Sequence, residues 1–317
     1  MHRKCRARPQ VCYPPRRKCP PAKETHMILV TGASGTVGRE VLSAVLDTGK
    51  STKAMYRGAE DARSGPPGVP TVIADFAVRS SLEAALREVH ALFLVCSPIP
   101  QLVELENNVI EAAKQVGVRH IVLNSALGAA DYPKSFPSWH RKVEEVLAQS
   151  RLDYTILRPN TFMQNIVAYC APSIRAQGAF YSAMSDAKVS FIDVRDIAGA
   201  TANVLANPSG HAGRTYELNG PEALNYSEVA AMISKITGRP VEFVNIPEPA
   251  QRKAMLDLQI PEWQVNALLD LQRYYTVEKK GAELTPTLEK LLGKSAIRME
   301  QYLAENKDSF RPQAAGA

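Results

Sequence analysis

Met27-Ile28-Leu29-Val30-Thr31-Gly32-Ala33-Ser34-Gly35-Thr36-Val37-Gly38 decides the fold. An apolar run enters a glycine turn, and the residues beyond it (Val37, Val41, Leu42, Val45, Leu46) repeat at helical spacing. The glycines stand in a G-x-x-G-x-x-G pattern, each with a separate task. Gly32 permits the tight turn off the strand, Gly35 lets backbone N–H groups approach a pyrophosphate, and Gly38 lets the helix press on the strand. The N–H groups of Ala33, Ser34, Thr36 and Val37 complete a phosphate cradle at the positive end of the helix. An ordinary glycine-rich loop is the alternative. The strand before, the amphipathic helix after and a second strand beyond favour a dinucleotide site.

Outward from this turn, strand and helix patterns alternate. Ile28–Val30, Thr52–Tyr56, Thr71–Ala74, Ala91–Val95, His120–Asn124 and Tyr154–Leu157 read as strands. Val37–Leu46, Leu82–Val89, Leu102–Val116 and a segment containing Val143–Leu147 read as helices, and a Gly/Pro-rich loop spans Gly58 to Pro70. This alternation implies an α/β fold: a Rossmann-like, doubly wound parallel sheet with helices on both faces. After Arg158 the rhythm loosens. Met163–Ile174 reads as helix and Ala179–Ile192 as short strands. Ile197–Leu205 reads as a helix behind Asp196 as its N-cap. Thr215–Leu218 returns a strand to the main sheet; Ser227–Ile236, Val241–Ile246 and helices to Phe310 complete a smaller C-terminal α+β lobe. The expected organisation is therefore a tail at 1–26, a nucleotide-binding domain at 27–160, a substrate lobe at 161–310 whose residues near 190–220 rejoin the sheet, and a flexible C-terminus at 311–317. A ligand cleft is expected between the lobes, outside the carboxyl ends of the strands.

Composition bounds the partners. The chain has 317 residues, 45% apolar and 22% charged, and no apolar run long enough for a bilayer. Its net charge of +6 is carried by the tail, where eight Lys/Arg oppose Glu24; that +7 leaves the remainder at −1. The folded body therefore offers no argument for nucleic-acid binding. The tail also holds Cys5, Cys12 and Cys19 among five prolines, reads as disordered, and lacks the apolar core of a secretory signal. Scarce acids would suit a transit peptide, but serines are absent and the prolines oppose an amphipathic helix. The six-residue gaps between the cysteines match no common zinc pattern, and the histidines do not pair at i, i+4, so no metal is expected. Cys96 and Cys170, alone in the body, fit a reducing cytoplasm.

The end of the second strand selects the nucleotide. NAD-binding turns of this type place an acid there for the ribose 2′-OH. Here the position is Arg57, and Glu60 and Asp61 lie beyond it. A guanidinium suits a 2′-phosphate, which favours NADP over NAD; a merely solvated arginine is the alternative. Asp75 after the third strand is placed either against the adenine or as a turn former.

Several runs then resemble one family: Thr31–Gly38, Tyr56-Arg57, Gly117-Val118-Arg119-His120, Leu157–Asn165, Phe191–Ala198 and Leu218-Asn219-Gly220-Pro221. Together they resemble the NmrA-like atypical short-chain dehydrogenase/reductases, and within them the bacterial NADPH quinone, azo-dye and triphenylmethane reductase branch. The likeness runs from Met27 to about Phe310, and the tail has no counterpart. The resemblance implies a small C-terminal substrate lobe and a cleft where Asn160, Phe162, Met163 and Asn165 border the nicotinamide or substrate. Read from the residues alone, a Phe and a Met after a strand are core. It also implies that the loop carrying Cys96, Ser97 and Pro98 lies near the nicotinamide ribose, with Cys96 either reactive or a buried thiol.

One feature departs from ordinary short-chain dehydrogenases. Their Tyr-x-x-x-Lys motif falls here on Phe136 and His140, and phenylalanine transfers no proton. Tyr132, four residues upstream, is a substitute that nothing in the sequence demands. Alcohol–ketone interconversion is thereby disfavoured. Two outcomes remain: an NADPH-dependent reductase passing hydride to a small electron-poor acceptor, or a non-catalytic NADP-binding redox sensor acting through a protein partner. His140 is the candidate acid or ribose contact, with an ordinary pKa suited to proton donation; a surface histidine beside Arg141 and Lys142 is the alternative.

Overall fold

The computed structural model describes residues 26–312. The expectations for the tail and for the last five residues lie outside them. Seven parallel strands form the main sheet: β1 (Met27–Val30), β2 (Thr52–Tyr56), β3 (Thr71–Ile73), β4 (Val89–Leu94), β5 (His120–Asn124), β6 (Asp153–Pro159) and β8 (Arg214–Leu218). Their order is β3-β2-β1-β4-β5-β6-β8. The chain winds outward in one direction through β3 and in the other through β8, so the reversal lies between β1 and β4. That crevice is where open α/β sheets bind ligands.

The helices follow from the apolar stripes. On one face α1 (Thr36–Asp47) and α7 (Val194–Ala206) bury Val41, Val45, Ile197 and Val204 against Ile28, Val30, Phe93 and Val122. On the other, α3 (Arg79–Ala85), α4 (Leu102–Val116) and α5 (Ser135–Gln149) bury Leu82, Ile110, Ala113 and Leu147 against Leu29, Leu92, Leu94 and Ile121. Successive strand residues thus serve opposite faces, as the two-residue period of a strand requires.

A third core belongs to the second half of the chain. It gathers Phe180, Phe191, Ile233, Tyr302 and Phe310. Around it lie α6 (Ala171–Gln177), α8 (Tyr226–Thr237), α9 (Glu248–Asp257), α10 (Glu262–Thr276) and α12 (Met299–Glu305), with a parallel pair of β7 (Ala179–Ser182) and β9 (Glu242–Asn245), while α11 (Thr287–Leu292) buries Leu288 in the first core with α7. β8 leaves this half and pairs with β6, Ile156 opposite Thr215.

Three details differ from expectation. The loop after Gly58 contains a short helix, α2 (Ala59–Arg63). The N-cap of α7 is Asp193, whose carboxylate accepts from Arg195 N at 2.8 Å; Asp196 sits in the first turn and accepts from Ile297 N at 2.7 Å. The helix expected over Met163–Ile174 is a π-helical turn, Ile166–Cys170, before α6. Pro172 explains the break: it has no N–H to donate one turn back, so the backbone widens there.

The glycine turn shows why this sequence folds as it does. Gly32 has φ +59°, and a Cβ built on Gly38 would sit 2.1 Å from the Gly32 carbonyl oxygen. Alanine favours a helix over glycine by roughly 1 kcal/mol. Here that gain is outweighed by the clash. Gly38→Ala is expected to lower stability by about 1–3 kcal/mol, the usual range for overpacking. An unchanged urea midpoint would show that α1 is free to move off the turn.

Candidate functional site

The carboxyl ends of β1, β4, β5 and β6 open into one cavity of about 510 Å³. Gly32, Gly35, Thr36, Val37 and Gly38 line one end of it. Gly35 caps α1 without any side-chain hydrogen bond, and the first turn carries no acid. The leading N–H groups of α1 are therefore left without a side-chain acceptor at the positive end of the helix dipole, which suits phosphate oxygens. Thr31, fully buried, locks this end: its hydroxyl donates to Phe93 O at 2.9 Å and accepts from Val95 N at 3.0 Å.

The outer end of the site is marked by Arg57. Ala33 N donates to Met55 O at 3.3 Å, which ties the glycine turn to the end of β2. Arg57 follows two residues later, exposed, and makes no ion pair among the described residues. Ala33, Ser34, Arg57 and Asp75 lie outside the cavity wall. Asp75 is turned back on its own loop, where its carboxylate accepts from Ala77 N at 2.8 Å.

Deeper in, Ser97 and Pro98 form the wall beside Cys96. Burial, reinforced by neighbouring Glu106, pushes the Cys96 thiol up to about 12, which leaves it protonated and unreactive. Across from this loop, α5 contributes Phe136, Pro137 and His140. Behind His140, Glu144 accepts both arms of Arg158, Nε at 2.9 Å and Nη2 at 2.6 Å, and the Ser125 hydroxyl at 2.6 Å. This buried ion pair fixes the α5 face against the ends of β5 and β6. Sequence reading missed it, since Arg158 and Glu144 meet only across the fold.

His140 is 6% exposed, and its Nδ1 has no partner among the described residues. Burial drives its pKa down to about 4, with Glu144 opposing weakly. The expectation of an acid titrating near neutrality is corrected accordingly: the imidazole is neutral at physiological pH. Asn124 Oδ1, in the same wall, is likewise buried without a partner. Two unpaired buried polar atoms beside a cavity call for a polar ligand, because leaving them unmade costs about 1–3 kcal/mol each. With the phosphate cradle at the far end, the wall fits an extended dinucleotide.

The remaining expectations divide. Phe162 and Asn165 line the cavity. Met163 does not: it is fully buried in the third core with Ile166 and Phe191, and its N–H is spent on Ile192 O. Asn160 reaches the wall, but its amide is consumed inside, Nδ2 donating to Ser190 Oγ at 2.9 Å, Asn219 Oδ1 at 3.1 Å and Gly281 O at 2.9 Å. Tyr132 is no replacement for the missing tyrosine; its hydroxyl donates to Asp270 O at 2.7 Å and the ring is buried. Arg141 is exposed and pairs with Glu145 at 2.8 Å.

A whole wall came from residues that sequence reading did not single out. α10 presents Gln264, Leu268, Leu271 and Tyr275, and the π-helical turn presents Ala168 and Tyr169. Tyr169 is 71% exposed at the mouth. The helical spacing of the α10 residues was the available signal, but it identifies a face without saying what the face meets.

Comparison with known proteins follows this geometry. The NmrA-like family pattern matches residues 24–303. The chain belongs to the NmrA-like family. It is 34% identical to the NAD(P)H azoreductase of Xenophilus azovorans, over 90% of this chain and 99% of that protein. It is 34% identical to the (4-alkanoyl-5-oxo-2,5-dihydrofuran-3-yl)methyl phosphate reductase of Streptomyces griseus, over 90% of this chain and all (100%) of that one. Among solved structures, an NADPH-dependent quinone oxidoreductase from Escherichia coli complexed with NADPH superposes with TM-score 0.80 and 30% identity, covering 89% of this chain and 99% of that one. No helix among the described residues of this family member is long and apolar enough to cross a membrane.

The buried histidines give the folded protein a pH signature. His120 and His140 both fall from 6.5 to about 4 on folding, chiefly by desolvation. Unfolded chains take up protons from pH 6.5 downward while the folded protein does not. The stability present above pH 6.5 is therefore lost as pH falls toward 4. His140→Gln should make the dependence of unfolding free energy on pH near pH 5 shallower by about one proton, roughly 1.4 kcal/mol per pH unit. Equal slopes in denaturant titrations would place His140 in water.

Proposed function

We propose that the protein is an NADPH-dependent reductase that passes hydride to a small, flat, electron-poor acceptor such as a quinone, an azo compound or a conjugated carbonyl. The observation that carries this reading is the composition of the cavity at the ends of β1, β4, β5 and β6. One end is a phosphate cradle, and the other combines Phe136, Phe162, Leu268, Leu271 and Tyr169 in an aromatic and apolar wall. Phe136 stands where a proton-transferring tyrosine would be. The azoreductase and quinone oxidoreductase relatives support the same class of acceptor.

In this reading Gly32, Ala33, Ser34, Gly35, Thr36, Val37 and Gly38 hold the pyrophosphate, and Arg57 takes the 2′-phosphate. Asp75 borders the adenine end. Ser97, Pro98, Asn124 and His140 hold the nicotinamide half. When bound, NADPH supplies two electrons and a hydrogen as hydride. The chain's part is to orient the acceptor and exclude water, which raises the rate of a reaction between two bound partners. Residues 27–160 with the returning strand β8 act as the nucleotide-binding domain, and 161–310 close the acceptor side. The two lone cysteines of the body suit work in a reducing cytoplasm.

Isothermal titration tests the nucleotide assignment. Arg57→Ala should weaken NADPH binding by about 10- to 100-fold, matching roughly 1.5–3 kcal/mol for a bond to a charged group, and leave NADH within about twofold. NADPH oxidation against a panel of quinones, azo dyes and conjugated carbonyls tests the reaction. Tight NADP binding with no consumption of NADPH on any acceptor would replace the enzyme reading with the redox-sensor reading.

A further inference from the structure

Reduction of such an acceptor leaves negative charge on its oxygen or nitrogen, and the position that supplies a proton in ordinary dehydrogenases is Phe136. The cavity nevertheless holds a phenol. Tyr275, on α10, lines it from the opposite side, and its hydroxyl lies 2.6 Å from Thr161 Oγ1. Thr161 itself lines the cavity next to Phe162. Resting on the reductase reading above, we propose that Thr161 and Tyr275 form a two-hydroxyl relay that delivers the proton to the reduced acceptor.

The geometry admits this direction of flow. Asn160 Oδ1 already accepts the Thr161 N–H at 2.8 Å and lies 3.3 Å from the Tyr275 oxygen. The contact to Thr161 is the shorter of the two, and either of its oxygens can donate. A phenol donating to Thr161 Oγ1 leaves the threonine proton free to point into the cleft. The ring is held in place from behind: Gly281 has φ +84°, and a Cβ there would stand 2.5 Å from Tyr275 Cε1. The carbonyl of Gly281 is bound by Asn160 Nδ2 and by Ser190 Oγ at 3.0 Å. Four residues, Asn160, Thr161, Ser190 and Gly281, thus fix the position of one buried tyrosine. Burial raises its pKa to about 12, so the resting phenol keeps its proton.

The step balances as follows. The acceptor gains hydride from NADPH, which is oxidised to NADP+. The acceptor's anionic oxygen or nitrogen takes the proton of Thr161 Oγ1, the O–H bond of Thr161 breaking as the new bond forms. Thr161 takes the proton of Tyr275 in the same motion. Water entering as product leaves returns a proton to the phenolate, and the hydroxide formed passes to bulk solvent. Thr161 is the catalytic residue in this scheme, and Tyr275 is a positioning residue acting through it.

Steady-state kinetics with NADPH and one azo dye, on purified full-length protein, tests the relay. Tyr275→Phe and Thr161→Val should each lower kcat by about a hundredfold, with KM for the dye and Kd for NADPH within about twofold. Thr161→Ser, which keeps the hydroxyl, should retain kcat within about threefold, and the double variant should be no slower than either single one, because one relay is broken only once. The relay is overturned by kcat within threefold of wild type in both single variants, by a loss confined to KM or to nucleotide binding, or by Thr161→Ser failing as Thr161→Val does. A wild type that oxidises no NADPH with any acceptor overturns the reductase reading itself, a result distinct from active wild type with active variants.

Discussion

The contact between Gly38 and the Gly32 carbonyl sets the rest of the molecule. With no side chain at 38, α1 starts almost on top of the turn that ends β1. Its leading N–H groups then aim along the crevice where the sheet order reverses, between β1 and β4. Thr31 fastens the turn to β4 through two hydrogen bonds, so the crevice has a fixed width. The far face of α1 packs on α7, which comes from the second half of the chain. One close approach therefore aligns the phosphate end of the cavity with an element that also anchors the other wall.

That other wall depends on buried polar contacts. Asn160, Ser190, Asn219 and Gly281 form a hydrogen-bonded knot where β6 ends and the second half begins. Tyr132 and Ser135 clip the start of α5 to the backbone of α10, with Ser135 Oγ donating to Ala267 O at 2.5 Å. The bonds made here favour one arrangement where an apolar interface would tolerate several, and Asn219 Nδ2 is left without a partner among the described residues. The faces of α5 and α10 that line the cavity are thereby held at one separation.

Much of the fold was legible because local chemistry and tertiary role coincide. The glycine turn, the buried runs at β4 and β5 and the return of β8 were all readable, since each carries its own period or turn residue. The π-helical turn was not, because its cause, Pro172, is ordinary at the start of a helix and only the continuation from Ile166 makes it a widening. Met163 illustrates the limit for the site. Phe162 and Met163 are neighbours of similar character, yet one borders the cavity and the other is spent in the core. His140 was found by position, while its neutral state follows from burial, which one chain's spacing does not reveal. The pairing of Thr161 with Tyr275 and of Glu144 with Arg158 depends on contacts between distant segments, which local spacing does not reveal.

The central claim is that one dinucleotide spans the crevice with its nicotinamide end between α5 and α10. A crystal structure of the protein grown with NADP+ and an unreactive quinone analogue tests it most directly. The account predicts the pyrophosphate on the N–H groups that follow Gly35, the 2′-phosphate beside Arg57, and the nicotinamide ring facing the analogue between His140 and Thr161. A nucleotide bound in the reverse sense, or an analogue lodged away from Thr161 and Phe162, would contradict it.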